Sequence, residues 1–303
     1  MATNTFSREN LVTAARMTHN NEIIDVAEVL NETNDVIQDA HIQRANDITS
    51  HVVSRRTNLP TPTWNKVGNG WNAGTGLVNQ VRETIGMLKS RYQCPEDVMK
   101  LQPDKAKFRA QQERPHIEAI GQEFVNTLMG NWSAGTLTNN PPEEFPSLSE
   151  RYSAYSSAAN IASGAANASY VLNNGDSGQT NDTSIWFIQW GPGKVYLITP
   201  RNSDGTGIKK EDKGLTFTAG DNVTTTQGNQ LWAYITEFSW DVGLCIEDMR
   251  CVKRLCNIDS VVGQTNTVDE DNIIQIRNNF KYTSGTIYMY CNEQVYTQLQ
   301  ILA

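Results

Sequence analysis

The chain has 303 residues and a formal net charge of −8, long enough to bury a sizeable core without disulfide staples. That charge excludes a duplex-binding surface, which needs clustered Lys and Arg, and Arg55-Arg56 and Lys209-Lys210 are too short to make one. The opening MATNTFSREN lacks the charged-then-apolar pattern of an export signal and no run of about 18 apolar residues occurs, so the expectation is a protein made and kept in a cytoplasm, with no membrane partner.

In chain order, the first element is EIIDVAEVLNETNDVIQDAHIQRAN, where Ile23, Ala27, Leu30, Asn34, Ile37 and His41 recur at helical spacing. This is one narrow apolar stripe on an acidic helix, and such a stripe must lie on a surface that something else supplies. Residues 58–88 follow, with β-compatible flanks around a Gly/Asn-rich tip at Gly68 to Gly76, and read as a long ribbon. An isolated two-stranded hairpin is marginal in water, so this one needs support from outside itself.

From Asp104 to Met129 the pattern is helical again, with Ile117, Ile120, Phe124 and Leu128 on one stripe, Pro115 inside and Gly130 as C-terminal cap. The second half is mostly β. In LWAYITEFSWDVGLCI the even positions Trp232, Tyr234, Phe238, Trp240, Val242, Leu244 and Ile246 are apolar, which predicts one long strand with a single buried face. DNIIQIRNNFKY reads as a short helix, and GTIYMYCNEQVYTQLQI as a strand running into a helix.

The chemistry is thin. Gly175-Asp176-Ser177-Gly178 matches the tetrapeptide around the nucleophile of trypsin-like proteases, with His41 upstream as its base, but His41 falls on the helical stripe and Asn174-Gly175-Asp176 is ordinary turn chemistry. Gly191-Pro192-Gly193-Lys194 lacks the earlier Gly and the following Ser/Thr of a phosphate loop and reads as a hairpin turn. Gly68, Gly70 and Gly74 open no βαβ unit, so no dinucleotide site is expected. Asp269-Glu270-Asp271 stands where a helix begins, where its dipole favours carboxylates. Five cysteines, Cys94, Cys245, Cys251, Cys256 and Cys291, are odd in number and fit a reducing compartment; the gaps among Cys245, Cys251 and Cys256 miss zinc spacing. The expectation is no catalytic residue, no cofactor and no metal.

Several stretches together are similar to a known family. LNETNDVIQDAHIQRAND, TNLPTPTW, QVRETIGML, TSIWFIQWGPGKVYLITPR and FSWDVGLCIEDMRCVKRLCNID resemble successive blocks of the major capsid proteins of short-tailed bacteriophages related to phage epsilon-15, in order and over nearly the whole chain. The resemblance implies an α+β chain of the Hong Kong 97-type capsid fold, with N-terminal arm, extended β-hairpin loop, long spine helix and mixed β-sheet domains. Carried over, residues 1–47 are the arm with its helix, 48–93 the extended loop, 94–145 the peripheral domain with the spine helix, and 146–303 the axial domain plus peripheral strands at about 183–258. Similar proteins continue past QVYTQLQILA into a closing strand, where this sequence stops.

The function so implied is self-assembly into the pentamers and hexamers of an icosahedral shell in the bacterial host cytoplasm, giving a virion. Its partners would be further copies of the chain, a scaffolding protein, a portal, a decoration or cement protein, and double-stranded DNA held without sequence-specific contact. The candidate inter-subunit contacts are Arg55, Arg56, Trp64, Lys66 and Trp71 on the loop, and Ile23, Leu30 and Ile37 on the arm. Two alternatives stand beside this reading: a serine hydrolase using Ser177, and an encapsulin-like cellular shell of the same fold.

Overall fold

The structure is a computed structural model that describes residues 18–19, 22–23, 34–133, 136–138, 140–141, 143–153, 170–175, 182–202, 206–219, 230–263, 266–280 and 285–302. Helices and strands mix along the chain. The strands are β1 (Thr18–His19), β2 (Glu22–Ile23), β3 (Ile42–Arg44), β4 (Ser50–Asn58), β5 (Leu77–Thr84), β6 (Gly86–Pro95), β7 (Asn131–Ser133), β8 (Thr136–Thr138), β9 (Val171–Asn173), β10 (Asp182–Ile188), β11 (Val195–Thr199), β12 (Lys209–Ala219), β13 (Gln230–Ile246), β14 (Val252–Asp259) and β15 (Tyr288–Tyr290). The helices are α1 (Asp35–Asp39), α2 (Glu96–Lys100), α3 (Lys105–Met129), α4 (Leu148–Arg151), α5 (Glu270–Asn278) and α6 (Glu293–Leu302).

The chain divides into two compact units, one of residues 1–34, 87–125 and 207–241, the other of 35–86, 126–206 and 242–303. In the first, α3 starts where the Asp104 carboxylate accepts from the amides of Ala106 and Lys107, each at 3.0 Å. Its buried stripe is Phe108, Glu113, Ile120 and Phe124. Ile117, expected on that stripe, is exposed. Phe124 meets Trp240 of β13 at 4.7 Å between ring centroids, and His116 stacks on Phe238 and meets the edge of Tyr92. β12 pairs antiparallel with β13 over ten residue pairs from Lys209↔Ser239 to Ala219↔Gln230, with a bulge between Asp212 and Gly214.

β13 is the single long strand expected, seventeen residues, but its buried face is not continuous. Phe238, Trp240, Val242, Leu244 and Ile246 are buried as predicted, and Thr236 with them, whereas Trp232 is exposed, Tyr234 is half-buried, and Ala233 and Ile235 of the other face are buried instead. The exchange of faces falls opposite the bulge, since Asp212 pairs with Thr236 and Gly214 with Ile235. A bulge bends and twists its ladder, so a different face meets the core on either side of it.

In the second unit, β15, β10, β14 and β9 form one sheet in that order, and α5 and α6 cover it through Leu172, Ile185, Phe187, Leu255, Ile258, Val268, Ile276, Phe280 and Val295. Asp269 caps α5 by accepting from the Asp271 amide, as its acidic start predicts. β11 pairs antiparallel with the end of β13 and parallel with β3. Gly191 to Lys194 is a turn, closed by Lys194 N–H donating to the Gly191 carbonyl at 3.2 Å. It is not the hairpin expected, because β10 and β11 on its two sides pair with different strands. Gly130, with φ of +108°, ends α3 by donating to the Asn126 carbonyl at 2.9 Å.

The long helix expected from Ile23 to His41 is also corrected. Its start is not helical, since Glu22–Ile23 is a strand paired with Thr18–His19; residues 24–33 of the stripe lie outside the described residues, and the helix described after them is α1, Asp35–Asp39. His41 lies just beyond it, exposed, and its carbonyl accepts from Leu197 N–H at 2.8 Å. Pairing of β3 with β11 pulls this segment out of helix, a tertiary contact overriding a weak local propensity.

Candidate assembly surfaces

β4 and β5 pair as an antiparallel ribbon from Ser50↔Thr84 to Asn58↔Leu77; its first strand lies ahead of the 58–88 stretch expected, and 59–67, expected as a β flank, belongs to the connection. Its base is held by its own chain. His51 and Val53 on β4 and Glu83 on β5 are buried, and Val53 packs with Tyr196, Ile198, Cys245 and Ile85. The Glu83 carboxylate takes Arg151 on both oxygens, at 2.8 and 2.7 Å, and Arg55 at 3.0 Å. Arg55 donates to the Ile246 carbonyl, and Arg151 to those of Pro146 and Leu244. Two guanidiniums thus share one carboxylate and each also reaches backbone oxygens, which is how a buried charge cluster stays tolerable, although Arg55 Nε is buried without a hydrogen-bond partner among the described residues. Arg55, predicted as an inter-subunit contact, is committed to this internal clamp.

Beyond Arg56 and Val78 the ribbon loses that support. The connection 59–76 is exposed almost throughout, and its only regular feature is a turn in which Asn69 N–H donates to the Lys66 carbonyl at 3.1 Å and Gly68 has a φ of +90°. Trp64, Val67 and Trp71 are exposed at 105%, 108% and 79%, and Arg56 and Lys66 are exposed beside them. A Trp side chain carries roughly 150–250 Å² of surface, so covering one is worth about 4–6 kcal/mol before association costs.

A second exposed set escaped the sequence pattern. Phe217 and Trp232 face each other across β12 and β13 with ring centroids 5.1 Å apart, both half exposed, and Leu215 lies two residues along the same face. The signal for it was Asp212-Lys213-Gly214, where Gly214 has a φ of +67° and donates to the Asp212 carboxylate at 2.7 Å. Of the arm candidates, Ile37 is half-buried on α1, the backbone of Ile23 lies in β2, and Leu30 falls outside the described residues.

Ser177 likewise lies outside the described residues, and His41 sits at the end of an edge strand. Burial pushes the thiols of Cys245, Cys251 and Cys256 up to about 11, which leaves them protonated and unreactive near neutrality. Among the described residues, no group of three or more His, Cys, Asp or Glu side chains is placed to hold a metal ion, and no helix is long and apolar enough to cross a membrane.

The family model of the major capsid protein GP7 matches residues 18–303. No curated protein matches the chain. Among solved structures, a chain of bacteriophage Epsilon15 superimposes with a TM-score of 0.71 at 22% identity, over 99% of this chain and 87% of that one. A chain of Mycobacterium phage Bobi gives a TM-score of 0.47 at 10% identity over 80% and 97%, and one of the holo-SrpI encapsulin complex from Synechococcus elongatus PCC 7942 gives 0.46 at 13% over 85% and 98%. The Epsilon15 likeness shows the fold, which is the Hong Kong 97-type capsid fold.

Proposed function

We propose, from the premise that this chain belongs to the major capsid protein GP7 family, that it builds an icosahedral phage shell from pentamers and hexamers in which each ribbon reaches over a neighbouring copy. The observation that carries the proposal is the ribbon itself: a base clamped by Glu83, Arg55 and Arg151, and a tip that leaves Trp64, Val67 and Trp71 uncovered. A lone subunit gains nothing from that arrangement, whereas a ring of copies covers every tip.

In this scheme residues 1–47 serve as the arm, 48–93 as the extended loop, 94–145 as the peripheral domain around α3, and 146–303 as the axial domain with further peripheral strands. Trp64, Lys66, Trp71 and Arg56 contact the neighbour, with Ile23, Leu30 and Ile37 of the arm, and the shell acts without catalysis. Assembly takes place in the host cytoplasm with a scaffolding protein, a portal and a decoration protein. A net charge of −8 suits a wall that does not grip packed DNA.

Electron microscopy of the purified full chain, together with a fluorophosphonate probe, tests this reading. Closed particles with no labelled serine are expected. A monomer that takes the probe at Ser177 would establish the hydrolase instead.

A further inference from the structure

The start of the ribbon carries a joint that a single proton can open. Asn46, just beyond β3, is tied to β4 by three hydrogen bonds: its side-chain amide donates to the Val52 carbonyl at 2.8 Å, its side-chain oxygen accepts from Val52 N–H at 2.9 Å, and its backbone N–H donates to Nδ1 of His51 at 3.1 Å. An amide N–H can donate only to a bare ring nitrogen, so Nδ1 carries no proton and the neutral ring has its proton on Nε2. Nε2 lies 3.0 Å from the Tyr196 hydroxyl, which donates in turn to Glu247 Oε2 at 3.3 Å. The relay thus runs from Asn46 through the imidazole to β11 and to the residue after β13.

We propose that His51 is a proton-operated joint of the ribbon: neutral, it fastens Asn46 and the start of β4 to Tyr196, and protonated on Nδ1 it turns an acceptor into a donor facing the Asn46 N–H and releases that fastening. The charged groups around the ring do not remove the conflict. Glu83 lies opposite His51 on β5 but is occupied by Arg55 and Arg151. Glu247 is reached only through Tyr196, Cys245 stays protonated, and the Asp47 carboxylate takes the Ile48 amide and Ser50 hydroxyl. Burial, set against the pull of Glu247 and Glu83, leaves the imidazole below the ordinary histidine range. The sign follows: an open joint binds the proton better than a closed one, so opening is favoured as pH falls through about 6.5 toward the lower closed-state value, and the gain stops below that value.

The consequence is a ribbon whose attachment to β3 and β11 loosens in mild acid while the Glu83 clamp and the tip are untouched. Hydrogen exchange of the full-length chain, compared between pH 7.5 and 5.5 after correction for intrinsic rates, reads this directly. Protection of the amides from Asn46 to Val53 should fall by up to about tenfold per pH unit across the window, the slope of a one-proton linkage, and His51→Gln should abolish the pH dependence. An equal fall in the variant, or none in the wild type, overturns the proposal. Exchange at the imidazole C2 position of the wild-type chain gives the His51 pKa independently and decides the matter if the variant does not fold: a value at or above that of a free histidine overturns it. His116 serves as internal control, since its Nδ1 lies 2.7 Å from Ser90 Oγ and not on β4 or β5, and its titration should leave the ribbon's amides unmoved.

Discussion

Gly243 shows how tightly the base of the ribbon sits on β13. A Cβ built there meets the Thr84 carbonyl well inside van der Waals contact and lies 3.1 Å from Ile198 Cγ1 and 3.2 Å from Ile85 Cα. Backbone cannot swing aside as a flexible side chain can, so Gly243→Ala should cost about 1–3 kcal/mol, the usual range for overpacking. Denaturant unfolding checks it; a loss under half a kilocalorie would mean that the close approach is slack. Glu113 makes a different case at the same scale. Burial raises its pKa, but hydrogen bonds from Lys210, Thr236 and Arg109 outweigh burial and the net shift is downward. A carboxylate depressed in the folded state stabilises above the unfolded pKa, near 4.5, and that contribution is lost as pH falls through the folded value. Glu113→Gln should therefore cost about 1–3 kcal/mol at pH 7 and progressively less as the pH falls below the unfolded value and through the folded one, where the wild type loses the same interaction. A constant difference across that range would contradict the assignment.

At the scale of elements, what was legible in the sequence and what was not have separable causes. α3, α5, α6 and the length of β13 follow from their periodicity and end signals: Asp269 and Gly130 each make the bond their position predicts, and Asp104 caps the start of α3. The missed features depend on partners distant in sequence. α1 ends at Asp39 because β3 joins β11, and Trp232 is exposed because a bulge in β12 exchanges the faces of β13. No periodicity within a strand reports what its neighbour does. The exposure of Trp64, Lys66 and Trp71 was legible because a Gly/Asn-rich loop holding two Trp has nowhere local to bury them. Arg55 was not, because its partners Glu83 and Ile246 arrive only with the fold. The bulge yields a prediction: Trp240→Ala should cost about 3–5 kcal/mol, a buried aromatic lost against Phe124, whereas Trp232→Ala should cost about 1 kcal/mol or less, a half-exposed cross-strand pair with Phe217. Equal losses in urea titrations of unassembled subunits would restore the uninterrupted face.

At the scale of the whole molecule, the proposed role of the ribbon tip makes folding and assembly separable by experiment. Its clamped base belongs to the subunit's own core, while 59–76 contributes no buried apolar side chain to that core. Asn58 and Leu77 are partners in register, so replacing 59–76 by Asn-Gly closes the strands with a two-residue hairpin turn. The shortened chain should unfold at a denaturant midpoint close to that of the wild-type subunit, because Glu83, Arg55 and Arg151 keep their contacts. It should nevertheless fail to close shells, because each copy has lost the Trp64, Val67 and Trp71 surface that a neighbour would cover, about 4–6 kcal/mol of apolar contact per Trp before association costs. Sedimentation and electron microscopy would then show free rings or irregular aggregates where the full chain gives closed particles. Restoring Trp64 and Trp71 separately, in full-length loops with the other replaced by Ala, would show which of them seats on the neighbour. Closed shells of normal stability from the shortened chain would leave the family membership intact and refute the role given to the ribbon tip.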